Sequence, residues 1–222
     1  MREHDKLTRR RLLAMSLGLG GYALSSAFHP LLARQRLRRT PDQIQGPFYP
    51  LVKPLDQDAD LTIIAGKAGR AKGQVVHLTG RILNALGAPV EGARVEIWQA
   101  NAQGRYTHPS DSNPAPLDPN FEGFGVQVTD KEGRYRFKTI KPGAYPRAVG
   151  GMRAPHVHFQ VTGRADELVT QMYFDGERLN DTDHYLQNAV NPQALVAKLS
   201  PPTRDLEADS LVVSWDIVLL SG

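Results

Sequence analysis

Val75-Val76-His77-Leu78-Thr79-Gly80-Arg81-Ile82-Leu83, then Gly87-Ala88-Pro89, then Ala93-Arg94-Val95-Glu96-Ile97-Trp98-Gln99: the reading of this stretch decides the fold. Its first segment is a β-favouring run that ends in turn residues. Its second alternates Val95 and Ile97 with Glu96 and Trp98, and a period of two places those pairs on opposite faces of a strand. The two segments predict a hairpin-like pair. Further strand signals follow at 125–129, at 133–140 after the turn Asp130-Lys131-Glu132-Gly133, and at 156–161, 169–174 and 211–220. Short strands divided by glycine and proline turns predict an all-β protein, a β-sandwich. One short helix is expected over 194–199, after Asn191-Pro192-Gln193 and before Pro201-Pro202.

Upstream of these strands the character changes. Residues 34–73 are rich in Pro, Asp and Gly without periodicity and predict an irregular arm packed over the body. Residues 1–33 have the layout of an export signal: a charged start, Arg9-Arg10-Arg11, and an apolar run from Leu12 to about Phe28. Gly18, Gly20, Gly21 and several serines interrupt the run, which is short for a bilayer span, so cleavage near 27 to 33 is expected rather than stable membrane insertion. Paired arginines ahead of an apolar run resemble the twin-arginine signal, which would carry a folded protein to the periplasm. The sandwich domain is then 74–222.

The net charge of +4 is concentrated at the start, where Arg2, Lys6, Arg9, Arg10 and Arg11 face only Glu3 and Asp5. A nearly neutral body without a basic stripe lacks the electrostatic footprint of a nucleic-acid binder. The chain has no cysteine, which excludes disulfides, thiolate catalysis and zinc-thiolate sites. Any metal must be held by His, carboxylate or Tyr.

His156-Val157-His158 lies inside a predicted strand, so both imidazoles point to one face and can reach one point. An isolated His-x-His is equally a hydrogen-bonded structural pair, and further ligands are needed. Tyr145, in the rigid loop Pro142-Gly143-Ala144-Tyr145-Pro146, and Tyr106, just past a strand end in Gly104-Arg105-Tyr106, are candidates. A phenol with a pKa near 10 is a poor ligand for soft ions, whereas a hard trivalent cation such as iron(III) stabilises the phenolate.

These motifs together resemble the intradiol ring-cleavage dioxygenases, over roughly 78–220. The resemblance is carried by Gly80-Arg81, Val95-Glu96-Ile97-Trp98-Gln99-Ala100-Asn101, Gly104-Arg105-Tyr106, Leu117-Asp118-Pro119-Asn120-Phe121, Thr139-Ile140-Lys141-Pro142-Gly143, Tyr145-Pro146, the 153–159 stretch and Gln171-Met172-Tyr173-Phe174. It implies a prealbumin-like sandwich with long active-site loops, and Fe(III) held by Tyr106, Tyr145, His156 and His158. Tyr106 and His156 would be equatorial, Tyr145 and His158 axial, with Tyr145 displaced by substrate. It further implies Arg153 as the active-site arginine that stabilises negative charge on the reacting ring, and Gln171 as a polar group near substrate. The implied reaction inserts O2 between the hydroxyl-bearing carbons of a catechol-type substrate, and the implied assembly is a homo- or hetero-oligomer.

Arg147 stands where protocatechuate-cleaving members of the family commonly carry Trp. It either pairs with a substrate carboxylate or faces solvent. Tyr135, Tyr173, Trp98 and Trp215 are expected in the core, His108 lines the pocket or faces solvent, and His77 and His184 carry no expected role. The competing reading is a non-catalytic prealbumin-like binding module, which the turn between the first two strands also fits and which needs none of the four ligands.

Overall fold

The computed structural model describes residues 36–221, so the expected export signal lies outside the described residues. The regular elements of the described chain are mostly strands, with almost no helix. Its strands are β1 (Val75–Asn84), β2 (Arg94–Trp98), β3 (Phe124–Val128), β4 (Arg134–Ile140), β5 (Tyr145–Pro146), β6 (Met152–Arg153), β7 (His156–Thr162), β8 (Glu167–Phe174), β9 (Val196–Ala197), β10 (Leu199–Ser200), β11 (Leu211–Ser214) and β12 (Ile217–Leu219).

One five-stranded sheet is built on β1, which pairs antiparallel with β4 and parallel with both β11 and β12. The other runs β3-β2-β7-β8-β9, and β5 with β6 forms a separate two-stranded ribbon. Leu78 and Ile82 from the first sheet meet Val95, Ile97, Val157 and Phe159 from the second, all with no solvent exposure. This is the all-β sandwich that the period-two pattern predicts, each sheet contributing one apolar face to a shared core.

Three sequence expectations are corrected. β1 and β2 are not a hairpin, because both edges of β1 are taken by other strands and β2 pairs with β3 and β7. The intervening turn folds back only as far as the Leu83–Pro89 bridge and the Val90 N–H to Ile82 bond, then crosses between sheets. Residues 194–199 are not a helix. A 3-10 turn at Pro192–Leu195 buries Leu195, and the chain then extends to lay Val196 and Ala197 beside Tyr173 and Phe174 at the sheet edge. The expected strand 211–220 is two strands, interrupted where Trp215 turns its ring onto Phe159.

The one α-helix among the described residues, α1 (His184–Gln187), was not expected from the sequence. It is capped by the carboxylate of Asp183, which accepts from the N–H groups of Tyr185 and Leu186. No helix among the described residues is long and apolar enough to cross a membrane.

The arm is irregular, as its composition predicts, yet it is tied to both sheets. Thr40 N–H bonds the carbonyl of Val218 in β12, and Gln43 N–H bonds that of Val169 in β8. Leu61 is fully buried and anchors the arm's far end in the core. These ties lay residues 44–48 across the end of the second sheet, where the candidate site lies.

Candidate metal centre

Two loops and one strand supply the donors. Tyr106 ends a tight loop after β2, in which the Asn101 side chain accepts from the N–H groups of Gln103 and Arg105. Gly143 N–H reaches back to the Asn101 carbonyl at 2.9 Å. A side chain at Gly104 would sit 2.3 Å from the Ala144 carbonyl oxygen, and one at Gly143 would sit 2.5 Å from the Ala102 oxygen. Only glycine lets these two loops touch. Their contact brings Tyr106 and Tyr145 edge to face, with ring centroids 5.5 Å apart.

β7 supplies the two histidines from one face of the strand, as the spacing predicts. Tyr145 Oη lies 3.3 Å from His156 Nε2, which lies 3.2 Å from His158 Nε2. Tyr106 packs against the same cluster, its ring centroid 6.3 Å from that of His158. The structure therefore brings all four sequence-predicted donors together.

The protonation logic of this cluster is unusual for a metal-free protein interior. His156 Nδ1 is 2.6 Å from the Ala154 carbonyl oxygen, which can only accept, so Nδ1 carries the proton and Nε2 presents its lone pair to the cluster. His158 Nδ1 and the Tyr106 hydroxyl are buried with no hydrogen-bond partner among the described residues. Burial, reinforced by the positive charge of Arg153, holds the His156 pKa well below its ordinary value. His158 is lowered likewise, by burial, then by His156 and Arg153. Both imidazoles are thus neutral and able to ligate. Burial pushes the phenols of Tyr106 and Tyr145 up, so neither ionises at neutral pH without a cation. Two phenol oxygens and two neutral imidazoles, with one phenol left without a partner, fit a hard, highly charged cation such as Fe(III).

Arg153 is 4% exposed, and its Nε and Nη2 donors are used inside the protein. Nε donates to Asp183 at 2.9 Å, while Nη2 donates to Gln171 Oε1 at 2.6 Å and to Tyr173 Oη at 3.0 Å. Gln171 in turn donates from Nε2 to the Ile44 carbonyl, joining the arm to the arginine. Arg153 nonetheless lines a cavity of about 200 Å³ together with Ile44, Phe48, Tyr145, Arg147 and Tyr185. This cavity opens beside the donor cluster and has no carboxylate in its lining.

Several residues here escaped the sequence reading. Tyr173 is a core aromatic, as expected, and its hydroxyl also belongs to the arginine network. The signal was available, since Tyr173 lies two residues from Gln171 on the same strand and shares its face. Trp98 is buried as expected, and it also stacks on His158. Tyr135 and Trp215 are core, as expected. His108 packs near Phe48 at 5.8 Å and does not line the 200 Å³ cavity. His77 bonds Glu207, and His184 is exposed at the start of α1. Gly46 and Phe48 of the arm gave no signal. Phe48 packs on Tyr106 with ring centroids 4.7 Å apart and planes tilted by 31°, and a side chain at Gly46 would stand 3.3 Å from His158 Cε1.

Comparison with known proteins agrees with the geometry. Residues 44–221 match the family model Dioxygenase_C, described as dioxygenase. The chain is 47% identical over 174 residues to the protocatechuate 3,4-dioxygenase beta chain of Burkholderia cepacia, covering 75% of this chain and 72% of that one. It is 37% identical over 117 residues to a hydroxyquinol 1,2-dioxygenase of a Rhizobium species, of which it covers 38%. Among solved structures, catechol 1,2-dioxygenase from Pseudomonas arvilla C-1 superposes with a TM-score of 0.65 at 27% identity, over 83% of this chain and 63% of that one. With four donors converging beside an arginine and these relatives matching the sandwich that carries them, the chain belongs to the intradiol ring-cleaving dioxygenase family.

Proposed function

We propose that Tyr106, Tyr145, His156 and His158 hold Fe(III), and that the protein cleaves a catechol-type ring between its two hydroxyls, incorporating both atoms of O2 to give a cis,cis-muconate-type diacid. The convergence of Tyr145, His156 and His158 within hydrogen-bonding distance, with the ring of Tyr106 packed edge to face on Tyr145 and its hydroxyl left without a partner among the described residues, carries this reading. Bound iron(III) supplies the Lewis acidity that binds the diphenol as a dianion and makes its ring reactive towards O2.

The protein's own groups do the rest. Tyr145 lines the cavity and Tyr106 does not, so Tyr145, which would be a phenolate when iron(III) is held, is placed to take at Oη one of the two hydroxyl protons of an entering diphenol. Arg153 stands at the cavity wall as a fixed positive charge and stabilises negative charge developing on the ring. Gln171 and Tyr173 hold its Nη2 side, and Ile44 and Phe48 exclude water from the ring. Arg147 lines the same cavity, its guanidinium carbon 5.6 Å from the Tyr185 ring centroid, and this positive charge favours a substrate with an anionic substituent.

The reading extends to residues 1–33 as a signal that exports the folded protein to the periplasm by the twin-arginine route, on the strength of Arg9-Arg10 ahead of the apolar run. It also extends to assembly as a homo- or hetero-oligomer, because relatives are named as beta and alpha chains. The decisive experiment measures iron content, colour and oxygen uptake of the purified protein with catechol, protocatechuate, hydroxyquinol and chlorinated catechols, and identifies products by their spectra. Stoichiometric iron and intradiol products are expected; colourless protein made with ample iron, without oxygen uptake, would sink the proposal.

A further inference from the structure

Asp183 is a fully buried carboxylate on the loop before α1, 30 residues beyond Arg153. Its oxygens are saturated. Oδ2 accepts from Arg153 Nε and from Ala154 N–H, both at 2.9 Å. Oδ1 accepts from the N–H groups of Tyr185 at 3.0 Å and Leu186 at 3.1 Å. A carboxylate so enclosed is costly to bury and persists only where its partners hold it in one place.

The two bonds made by Oδ2 reach different parts of the site. The bond to Nε fixes the guanidinium plane. Since Nη2 is tied to Gln171 and Tyr173, Nη1 remains the donor without a partner among the described residues. The bond to Ala154 N–H holds the carboxylate from the backbone side, next to Arg153. The helix cap holds the carboxylate itself, so the anchor is the fold rather than a mobile side chain.

We propose that Asp183 is a positioning residue for ring cleavage: anchored by the cap of α1, it orients Arg153 so that Nη1 serves the cavity. This rests on the function proposed above. A guanidinium without its carboxylate could still bind an anion, but its donor would be misaligned with charge that develops only during reaction, so turnover suffers more than binding.

The test uses Asp183→Asn, which keeps one oxygen for the cap but turns an NH2 towards two donors. Arg153→Gln and the double variant complete the cycle. Asp183→Asn is expected to lower kcat about tenfold or more with KM changed less than about threefold and iron content unchanged. In the Arg153→Gln background the same change should cost less than about twofold, because a residue acting through Arg153 has nothing left to position. Asp183→Glu keeps the charge and displaces the carboxyl by one methylene. It is read the same way if the Asn variant does not fold, with a kcat loss that vanishes without Arg153.

A readout independent of activity is the Arg153 Nε–H signal in the nitrogen-proton NMR spectrum of the metal-free protein, assigned by its loss in Arg153→Gln. It should exchange slowly in the wild type and at least about tenfold faster in Asp183→Asn. Wild-type kcat in Asp183→Asn, an equal loss with and without Arg153, or an unchanged Nε–H signal each overturns the proposal. A wild-type protein without iron or ring cleavage would instead overturn the function, and the Nε–H signal would then decide the positioning alone.

Discussion

The indole of Trp98 lies flat on the imidazole of His158, ring centroids 4.8 Å apart and planes 12° from parallel. The two are direct cross-strand partners in the register of β2 with β7, so the sheet itself sets the stack. Trp98 thereby limits rotation of His158, whose Nδ1 has no partner to orient it. Trp98→Ala should cost about 3 to 5 kcal/mol of stability and lower iron occupancy, whereas Trp98→Phe keeps a stacking ring and should retain iron. Urea denaturation and iron per chain, measured on both variants, check this; equal iron loss in both would show that stacking is not the holding element.

Tyr106→Phe should move two quantities in opposite directions. The Tyr106 hydroxyl is buried without a partner, and its removal relieves a desolvation cost of order 1 kcal/mol in the metal-free protein. The same change removes an anionic ligand, so most iron and activity should be lost. Melting temperature of the metal-free variant and its iron content after loading decide the matter. A variant that binds iron normally would remove Tyr106 from the ligand set.

Arg147 determines substrate preference if its charge meets a carboxylate in the cavity. Arg147→Ala should then raise KM for protocatechuate about ten- to hundredfold, the worth of one charged hydrogen bond, and change KM for catechol less than about twofold. Steady-state kinetics with the two substrates supply the comparison. Equal effects on both would place Arg147 towards solvent.

The pH dependence of stability should carry a contribution from Glu122, whose carboxyl is pushed up to about 8, by burial first and then by Asp56 and Asp58. Below its ordinary pKa of 4.5 both folded and unfolded states hold the proton and Glu122 costs nothing. As pH rises towards about 8 the unfolded chain releases that proton while the folded chain keeps it, so stability falls, and above that the loss is constant. Glu122→Gln should flatten this decline in the denaturation midpoint. An unchanged slope would mean that Glu122 ionises normally in the folded protein.

Much of the site was legible because it is local. His156 and His158 share a face through the period of the strand, and Arg153 precedes them by three residues. Tyr106 and Tyr145 could be offered as candidates from their loops but joined to the histidines only through family motifs, since nothing in a loop sequence states which other loop it touches. The contact depends on Gly104 and Gly143 meeting across 39 positions, a property of two backbones approaching and not of either alone.

The sequence by itself determined the all-β character, the irregular arm, the absence of thiolate chemistry and the paired imidazoles, because alternation, turn chemistry and composition act between near neighbours. Tertiary structure alone decided that β1 and β2 part into opposite sheets, since strand partners are chosen by competition among all available edges. It decided that Trp98 stacks on His158, that Phe48 covers Tyr106, and that Asp183 holds Arg153. Each of these joins residues distant in the chain through register and packing, which no local pattern encodes.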